Sequence, residues 1–345
     1  MARGLRTIHA RAPLRVNDIG GWTDTWFARR GRVLNLAVGP PVEVQVAAVR
    51  RLRAGATVLV HAENYGQSFR VDPARPSSGF HPLLQTAVRT LPPPAGWSVE
   101  VRLHSPVPAG ISTGTSAAVC VALLGALDAL RGGRLGPAAL AALAHRVETE
   151  KLGRQSGIQD QISAAYGGIC DIDIEDYPRA RVERIKPGAD VVRELERRLC
   201  LVYLGRPHRS SAIHESVIAR LEAAGGRSRA LERLAAFAGR ARRALLAGDL
   251  DAYGAVMAEN NEAQRALHPR LVSERADRVI AIARKHGAAG WKVNGAGGAG
   301  GSLTILSSAD DGLRRRMIEG ISGLGGGVRR LPLVLSPSGF AAWEI

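Results

Sequence analysis

Residues 106–118, Pro-Val-Pro-Ala-Gly-Ile-Ser-Thr-Gly-Thr-Ser-Ala-Ala, lead from a loop of small and hydroxylic side chains into an apolar stretch. Where such a loop opens a helix, several backbone N–H groups lack intrahelical partners, and the positive end of the helix dipole faces the same point. That arrangement suits a phosphate, and Pro108, Gly110, Ser112, Thr113, Gly114, Thr115 and Ser116 would line it. No Gly-Lys-Ser/Thr follows a four-residue gap, so the loop is not a Walker motif. Its plainer reading is the hydroxyl-capped start of an Ala-rich core helix. Two further segments share its glycine or hydroxyl richness: Arg-Val-Asn-Asp-Ile-Gly-Gly-Trp-Thr-Asp at 15–24 and Gly-Ala-Gly-Gly-Ala-Gly-Gly-Ser at 295–302. The last of these carries almost no side chains, so its backbone can approach a ligand or a facing loop closely.

These segments need elements to hold them. A strand over 8–16 ends at the Gly-Gly turn, and alternating strands follow at 33–38 and 42–49, with a hairpin at 58–62 and 69–71. Helix 82–90 and strand 97–103 precede the loop, which starts a long helix over about 115–130. Helices at 137–152 and 157–166 come next, then strands at 169–174 and 199–203. Helices cover about 211–222, 230–246, 251–264 and 273–286, and the segment 291–293 leads into the glycine run, from which strand 303–306 emerges. The pattern is α+β in two layers, with a change of character near 170–200. At 345 residues the chain suggests two domains.

Composition limits the function. Apolar residues make up 46% and charged residues 23% of the chain, ordinary for a globular enzyme, and no run of about 18 apolar residues supplies a membrane span. The first residues have no apolar signal core, and the expected location is the cytoplasm. Cys120, Cys170 and Cys200 are far apart and form neither a zinc pattern nor a disulfide framework. The formal charge of +16 invites a nucleic-acid reading, but all except four of the 47 basic residues are arginine, spread along the chain in the manner of a codon bias. An anionic small substrate fits better than a nucleic acid. No coiled coil or apolar stripe marks an oligomer interface, so oligomeric state is open.

Taken together and in order, the three segments resemble the three motifs of the GHMP kinase superfamily, and the resemblance covers nearly the whole chain. Ala-Pro-Leu-Arg at 12–15, Gly-Gly-Trp-Thr-Asp at 20–24, Val-Leu-Asn at 33–35 and Gly-Ile-Gln-Asp-Gln at 157–161 look most like the sugar-kinase branch that includes heptose 7-phosphate kinases. The resemblance implies a two-domain GHMP fold, an N-terminal α/β ATP-binding domain over 1–170 and a ferredoxin-like C-terminal domain over 171–345, with the active site in the cleft between. It implies that Asp160 approaches the acceptor hydroxyl as general base and that Arg15 holds that aspartate and steadies phosphoryl charge. At an unperturbed pKa of about 4 Asp160 is ionised at neutral pH, so it can orient as well as abstract. Family position gives Mg²⁺ the hydroxyl of Ser116 and the carboxylate of Glu148, with Glu150 as the local competitor, since two residues along a helix change the face.

Asp24 matches the family's sugar-binding aspartate, with Gly21, Trp22 and Thr23 beside it. Trp22 either stacks on a sugar face or closes the core. Gly295, Gly297 and Gly298 fall in the third motif. Arg209 or His208, in Gly-Arg-Pro-His-Arg-Ser-Ser at 205–211, would contact a substrate phosphate. The sequence departs from the family in two places: Gly-Gly-Trp-Thr-Asp stands where galactokinases carry Gly-Glu-His-Thr-Asp, and Ser112-Thr113 replaces the first glycine and leucine of the second motif. The expected activity is transfer of the ATP γ-phosphoryl group to a hydroxyl of a heptose 7-phosphate or related sugar, with ATP and Mg²⁺. Its rivals are a noncatalytic ligand-binding protein on the same fold and a kinase of a non-sugar alcohol.

Overall fold

The computed structural model describes residues 4–50, 57–75, 80–208, 212–224 and 228–345. Its first sheet has nine strands, with β1 (Leu5–Ile19), β2 (Gly31–Arg50), β3 (Thr57–Ala62), β4 (Gln67–Val71) and β5 (Trp97–His104) supplying the main path. β2 is its spine, pairing with β1 along one edge and with β5 through residues 43–50 along the other. Its first third, residues 31–36, pairs instead with β6 (Ile169–Asp176), which continues into β7 (Arg179–Ile185). The two strands expected at 33–38 and 42–49 are therefore one. Gly39-Pro40-Pro41 bends it rather than ending it, and the opposing register shifts between Ala12 and Leu14. Two prolines remove N–H donors from the ladder, which a strand tolerates at such an irregularity.

Of helices α1 (Pro82–Thr90), α2 (Thr115–Leu130), α3 (Pro137–Arg146) and α4 (Gln159–Tyr166), α2 and α4 pack on this sheet, while α1 packs on α2 and α3 on α2 and α4. α2 is apolar on every side and is buried from Ala117 to Leu130 apart from a few positions, as a central helix must be. The single helix expected over 137–152 is instead α3 followed by a π-helical turn, Val147–Lys151. Such wide turns occur mostly at functional sites.

The second sheet joins β8 (Leu199–Leu204), β9 (Gly290–Val293), β10 (Ser302–Leu306) and β11 (Val328–Leu331) in the order β11-β8-β10-β9, all antiparallel. That 4-1-3-2 order is the ferredoxin-like arrangement. Its strands pack on α9 (Glu274–Lys285) and α10 (Asp311–Ser322) in a core of their own, including Val279, Ile305 and Met317. α5 (Ala189–Arg198), α6 (Ala212–Ala223), α7 (Arg229–Ala247) and α8 (Leu250–Leu267) fill the space toward the first sheet, and Leu234, Phe237 and Met257 join the larger core. The chain then returns: β12 (Val334–Leu335) pairs with β2 and β13 (Ala341–Glu344) with β1.

Candidate active site

The loop between β5 and α2 is pinned at its start by Asn64, whose side chain donates to the carbonyl of Ser105 and accepts from its N–H at 2.6 Å. Ser112 adopts φ 61° and Gly114, the residue before the helix, φ 70°. No side chain caps α2, so its first N–H groups stay available to a ligand. Glycine is required at 114 twice over: for the left-handed backbone, and because an added Cβ would lie 3.3 Å from Asp160 Oδ2. Ser112 keeps the left-handed conformation that glycine would adopt, so the loop path is maintained despite the substitution. Its Oγ is buried without a hydrogen-bond partner and turns toward the glycine run, where a Cβ on Gly301 would come within 2.5 Å of it. Thr113 is fully buried, and its carbonyl accepts the N–H of Arg15 at 2.9 Å.

A cavity of about 240 Å³ opens beside this loop, with Leu83, Leu84 and Val119 on its apolar side and Gly110, Thr115 and Ser116 on its polar side. A second, of about 710 Å³, is lined by Arg15, Asp18, Trp22, Asp24, Asp160 and Gly295 among others. Arg154 belongs to both.

Asp160 sits in the first turn of α4, 29% exposed, and accepts from Arg15 Nε at 2.7 Å. Arg15, 5% exposed, also donates through Nη1 to the Ser112 carbonyl and stands 4.0 Å from Asp18. Burial opposes the charge of Arg15, but Asp160 and Asp18 outweigh it and hold the guanidinium more firmly protonated. Asp24 is 2% exposed and accepts the N–H of Gln159 at 3.1 Å. Burial pushes its carboxyl up to about 6, against the pull of that N–H and with help from Asp160.

Glu148 is buried on the π-helical turn, whereas Glu150 is exposed and paired with Arg146 at 3.0 Å, so only Glu148 faces inward. Burial raises the Glu148 carboxyl, whose hydrogen bond from Gln161 Nε2, 3.2 Å, comes from a neutral donor. Gln161 Oε1 is itself buried without a partner. An undercompensated carboxylate beside an orphan carbonyl oxygen suits a hard cation, and Ser116 offers a hydroxyl from the exposed start of α2. Among the described residues no three His, Cys, Asp or Glu side chains cluster as a metal site. The donors present fit Mg²⁺ that takes most of its oxygens from elsewhere.

Trp22 both closes the core and walls the larger cavity. It lies on His214, ring centroids 6.3 Å apart and planes 9° apart, and adopts φ 77°. Thr23 turns inside, donating to the Gly20 carbonyl at 2.7 Å and accepting from Arg32 N at 3.1 Å. Gly21 lies in the same turn, its N–H on the Asp18 carbonyl at 3.1 Å. Pro108, Ser112, Thr113, Gly297 and Gly298 flank the cavities without lining either. Arg209 lies outside the described residues. His208 lines the larger cavity, where burial, then His214, pushes its imidazole down to about 4.

The sequence reading missed the seam that holds the third motif. Lys292, 0% exposed, donates to Asp18 Oδ1 at 3.1 Å, and Gly295 N donates to the same oxygen at 3.0 Å. Asn17 N bonds Asn294 Oδ1 at 2.9 Å, and Gly20 N bonds Asn260 Oδ1 at 2.8 Å. Asn-Asp before a Gly-Gly turn was the available signal, but its partners lie more than 200 residues away.

A loop cradle on one side, an acidic cavity on the other and a ferredoxin-like body beside them define the class of two-domain small-molecule kinases. The model of the GHMP kinase N-terminal domain matches residues 83–168, and that of the GHMP kinase C-terminal domain matches 241–321. The chain belongs to the GHMP kinase family. A mevalonate kinase of Methanothermobacter thermautotrophicus is 34% identical over 59% of this chain and 63% of its own. A D-glycero-alpha-D-manno-heptose 7-phosphate kinase of Campylobacter jejuni is 25% identical over 59% of this chain and 60% of its own. The bifunctional fucokinase/GDP-fucose pyrophosphorylase of Arabidopsis thaliana is 25% identical over 91% of this chain. The matches span 31% of that plant protein and under two thirds of the other two. The crystal structure of a D-glycero-D-manno-heptose 1-phosphate kinase from Bacteriodes thetaiotaomicron shares the fold, at TM-score 0.75 and 20% identity, over 98% of this chain and 99% of that one.

Proposed function

We propose that the protein transfers the γ-phosphoryl group of ATP to a hydroxyl of a sugar or sugar phosphate, a heptose 7-phosphate or related sugar being the acceptor class. The observation that carries this is the Arg15–Asp160 pair, 2.7 Å apart, which borders the nucleotide loop through Ser112 and the acceptor cavity through Asp160. Phosphoryl transfer asks the protein for alignment and charge compensation, with one group to take the hydroxyl proton. Asp160 is that group: partly exposed to the cavity, it receives the proton as the acceptor oxygen bonds to phosphorus and ADP leaves. Arg15 keeps the carboxylate oriented. Asp24 and the backbone of residues 295 and 296 hold other hydroxyls, and Trp22 gives them an apolar wall. Two acidic groups in one cavity favour a polyol over an acceptor with a single hydroxyl.

The nucleotide takes the smaller cavity, with its phosphates at the open start of α2. Ser116 and Glu148 would hold Mg²⁺, which when bound neutralises phosphate charge and polarises the γ-phosphorus. Residues 1–170 act as the nucleotide-binding domain, and residues 171–345 close the acceptor side. Among the described residues no helix is long and apolar enough to cross a membrane, and the working location proposed is the cytoplasm.

ADP release measured across free and phosphorylated hexoses and heptoses, with mevalonate and homoserine alongside, tests the assignment. A heptose or heptose phosphate should give the highest kcat/KM, and EDTA should abolish turnover. Preference for mevalonate would replace the sugar assignment with a non-sugar alcohol, and no acceptor-stimulated ADP release would leave a binding protein.

A further inference from the structure

The two cavities share one cationic side chain, Arg154, in the segment between the π-helical turn that carries Glu148 and the helix that carries Asp160. Its backbone is anchored, the N–H donating to the Glu148 carbonyl at 2.9 Å. Its side chain is exposed and has no hydrogen bond or ion pair among the described residues, although its charge is felt at Glu148 and at the buried Cys120. The other cations near the site are committed. Arg15 is tied to Asp160 and the Ser112 carbonyl, and Lys292 is wholly buried against Asp18, Gln264 and the Val293 carbonyl. Among the described arginines that line the two cavities, Arg154 is the one free to follow a group that moves from the smaller to the larger.

We propose that Arg154 is a catalytic residue that contacts the transferring phosphoryl group, an assignment that rests on the kinase reading above. In the step it serves, an acceptor oxygen bonds to the γ-phosphorus and its proton passes to Asp160. The bond from phosphorus to the β–γ bridging oxygen breaks, and ADP departs with that electron pair. Negative charge shifts onto the bridge and the equatorial oxygens, and a planar guanidinium at the junction meets both through its paired N–H groups. Lysine offers the same charge without the fork.

Arg154→Gln and Arg154→Lys in the full chain, assayed by ADP release with the best acceptor, test this. Arg154→Gln should lower kcat by about 10²- to 10³-fold, the scale of losing one preorganised charge-stabilising donor. Arg154→Lys should retain an intermediate rate. ADP affinity, measured by direct titration, and KM for ATP should stay within about three-fold, because the contact forms with the moving charge. Added guanidinium chloride at millimolar level should restore part of the Arg154→Gln rate and none of an Asp160→Asn rate. The side chain is exposed, so the unfolding midpoint should not move. An Arg154→Gln enzyme with kcat within about two-fold of wild type overturns the proposal while leaving the kinase assignment intact. Equal losses in ADP affinity and kcat/KM also overturn it, making Arg154 a nucleotide anchor. A wild-type chain with no acceptor-stimulated ADP release overturns both.

Discussion

Arg15 Nε lies 2.7 Å from Asp160 Oδ1 while Nη1 of the same guanidinium holds the backbone carbonyl of Ser112, so one arginine sets the distance between the nucleotide loop and the group that faces the acceptor. Arginine serves the two partners from separate nitrogens of one planar fork, whereas a lysine would have to reach both from a single Nζ.

Replacing Asp160 by Asn keeps the size and hydrogen-bonding reach of the side chain but removes the proton acceptor. The variant should fold as wild type and lose about 10²- to 10⁴-fold in kcat, the usual scale for general-base removal. Retained full turnover in the ADP-release assay would show that the carboxylate only orients the acceptor.

Asp24 gives the site a pH dependence. Its carboxyl is raised by burial to about 6, so the acceptor cavity gains a charged hydrogen-bond acceptor as pH rises through about 6, and KM for the acceptor should fall across that range. The stability effect has the opposite sense. The folded chain keeps this proton up to about 6 while the unfolded chain releases it near 3.8, so this group's contribution to stability declines as pH rises between those values. Denaturant unfolding of wild type and Asp24→Asn at pH 4 and pH 7 isolates the difference, which should be absent if Asp24 ionises normally.

Ser112 is an L-residue at φ 61° with a buried, unpartnered hydroxyl. Ser112→Gly should therefore stabilise the protein by about 1 kcal/mol, read as a higher midpoint in thermal unfolding. A lower midpoint would mean that the hydroxyl contributes a contact with the glycine run.

Lys292 and Asp18 are a fully buried ion pair, 3.1 Å apart. Lys292→Met leaves the Asp18 carboxylate buried without its main countercharge and should cost about 3–5 kcal/mol in denaturant unfolding. Adding Asp18→Asn should recover part of that loss. Additive losses would argue against direct coupling.

Asn64 fastens Ser105 with two hydrogen bonds, and Asn64→Ala should loosen the start of the nucleotide loop. At about 1 kcal/mol for a lost local bond, KM for ATP should rise roughly five-fold with little change in KM for the acceptor. Equal changes in both would place the effect in global stability.

Much of this architecture is legible in the sequence. The loop and α2 read directly, because a 16-residue helix with an unbroken apolar run from Ala117 to Leu127 after a Gly/Ser/Thr loop has few alternatives. Asp160, Asp24 and Arg15 could be named from local motifs, and they meet in one cavity. Long-range partners could not. β7, Arg-Ala-Arg-Val-Glu-Arg-Ile, is too charged to read as a strand, and it forms because β6 offers it an edge. The π-helical turn at 147–151 carries no signal distinct from the helix before it. Arg154 is inconspicuous among the arginines, and its importance arises from where the two cavities meet. Lys292 and Asn294 needed knowledge of the contact between the sheets.

β2 runs through the first sheet as one strand, paired with β6 over residues 31–36 and with β5 over residues 43–50. Neither half is therefore a transplantable module. A chimera that exchanged the first 170 residues for those of another family member would cut β6 after its second residue, and would ask a foreign β1 and β2 to receive the native β6, β12 and β13. Acceptor preference is better altered through the side chains that face the cavity than by swapping segments.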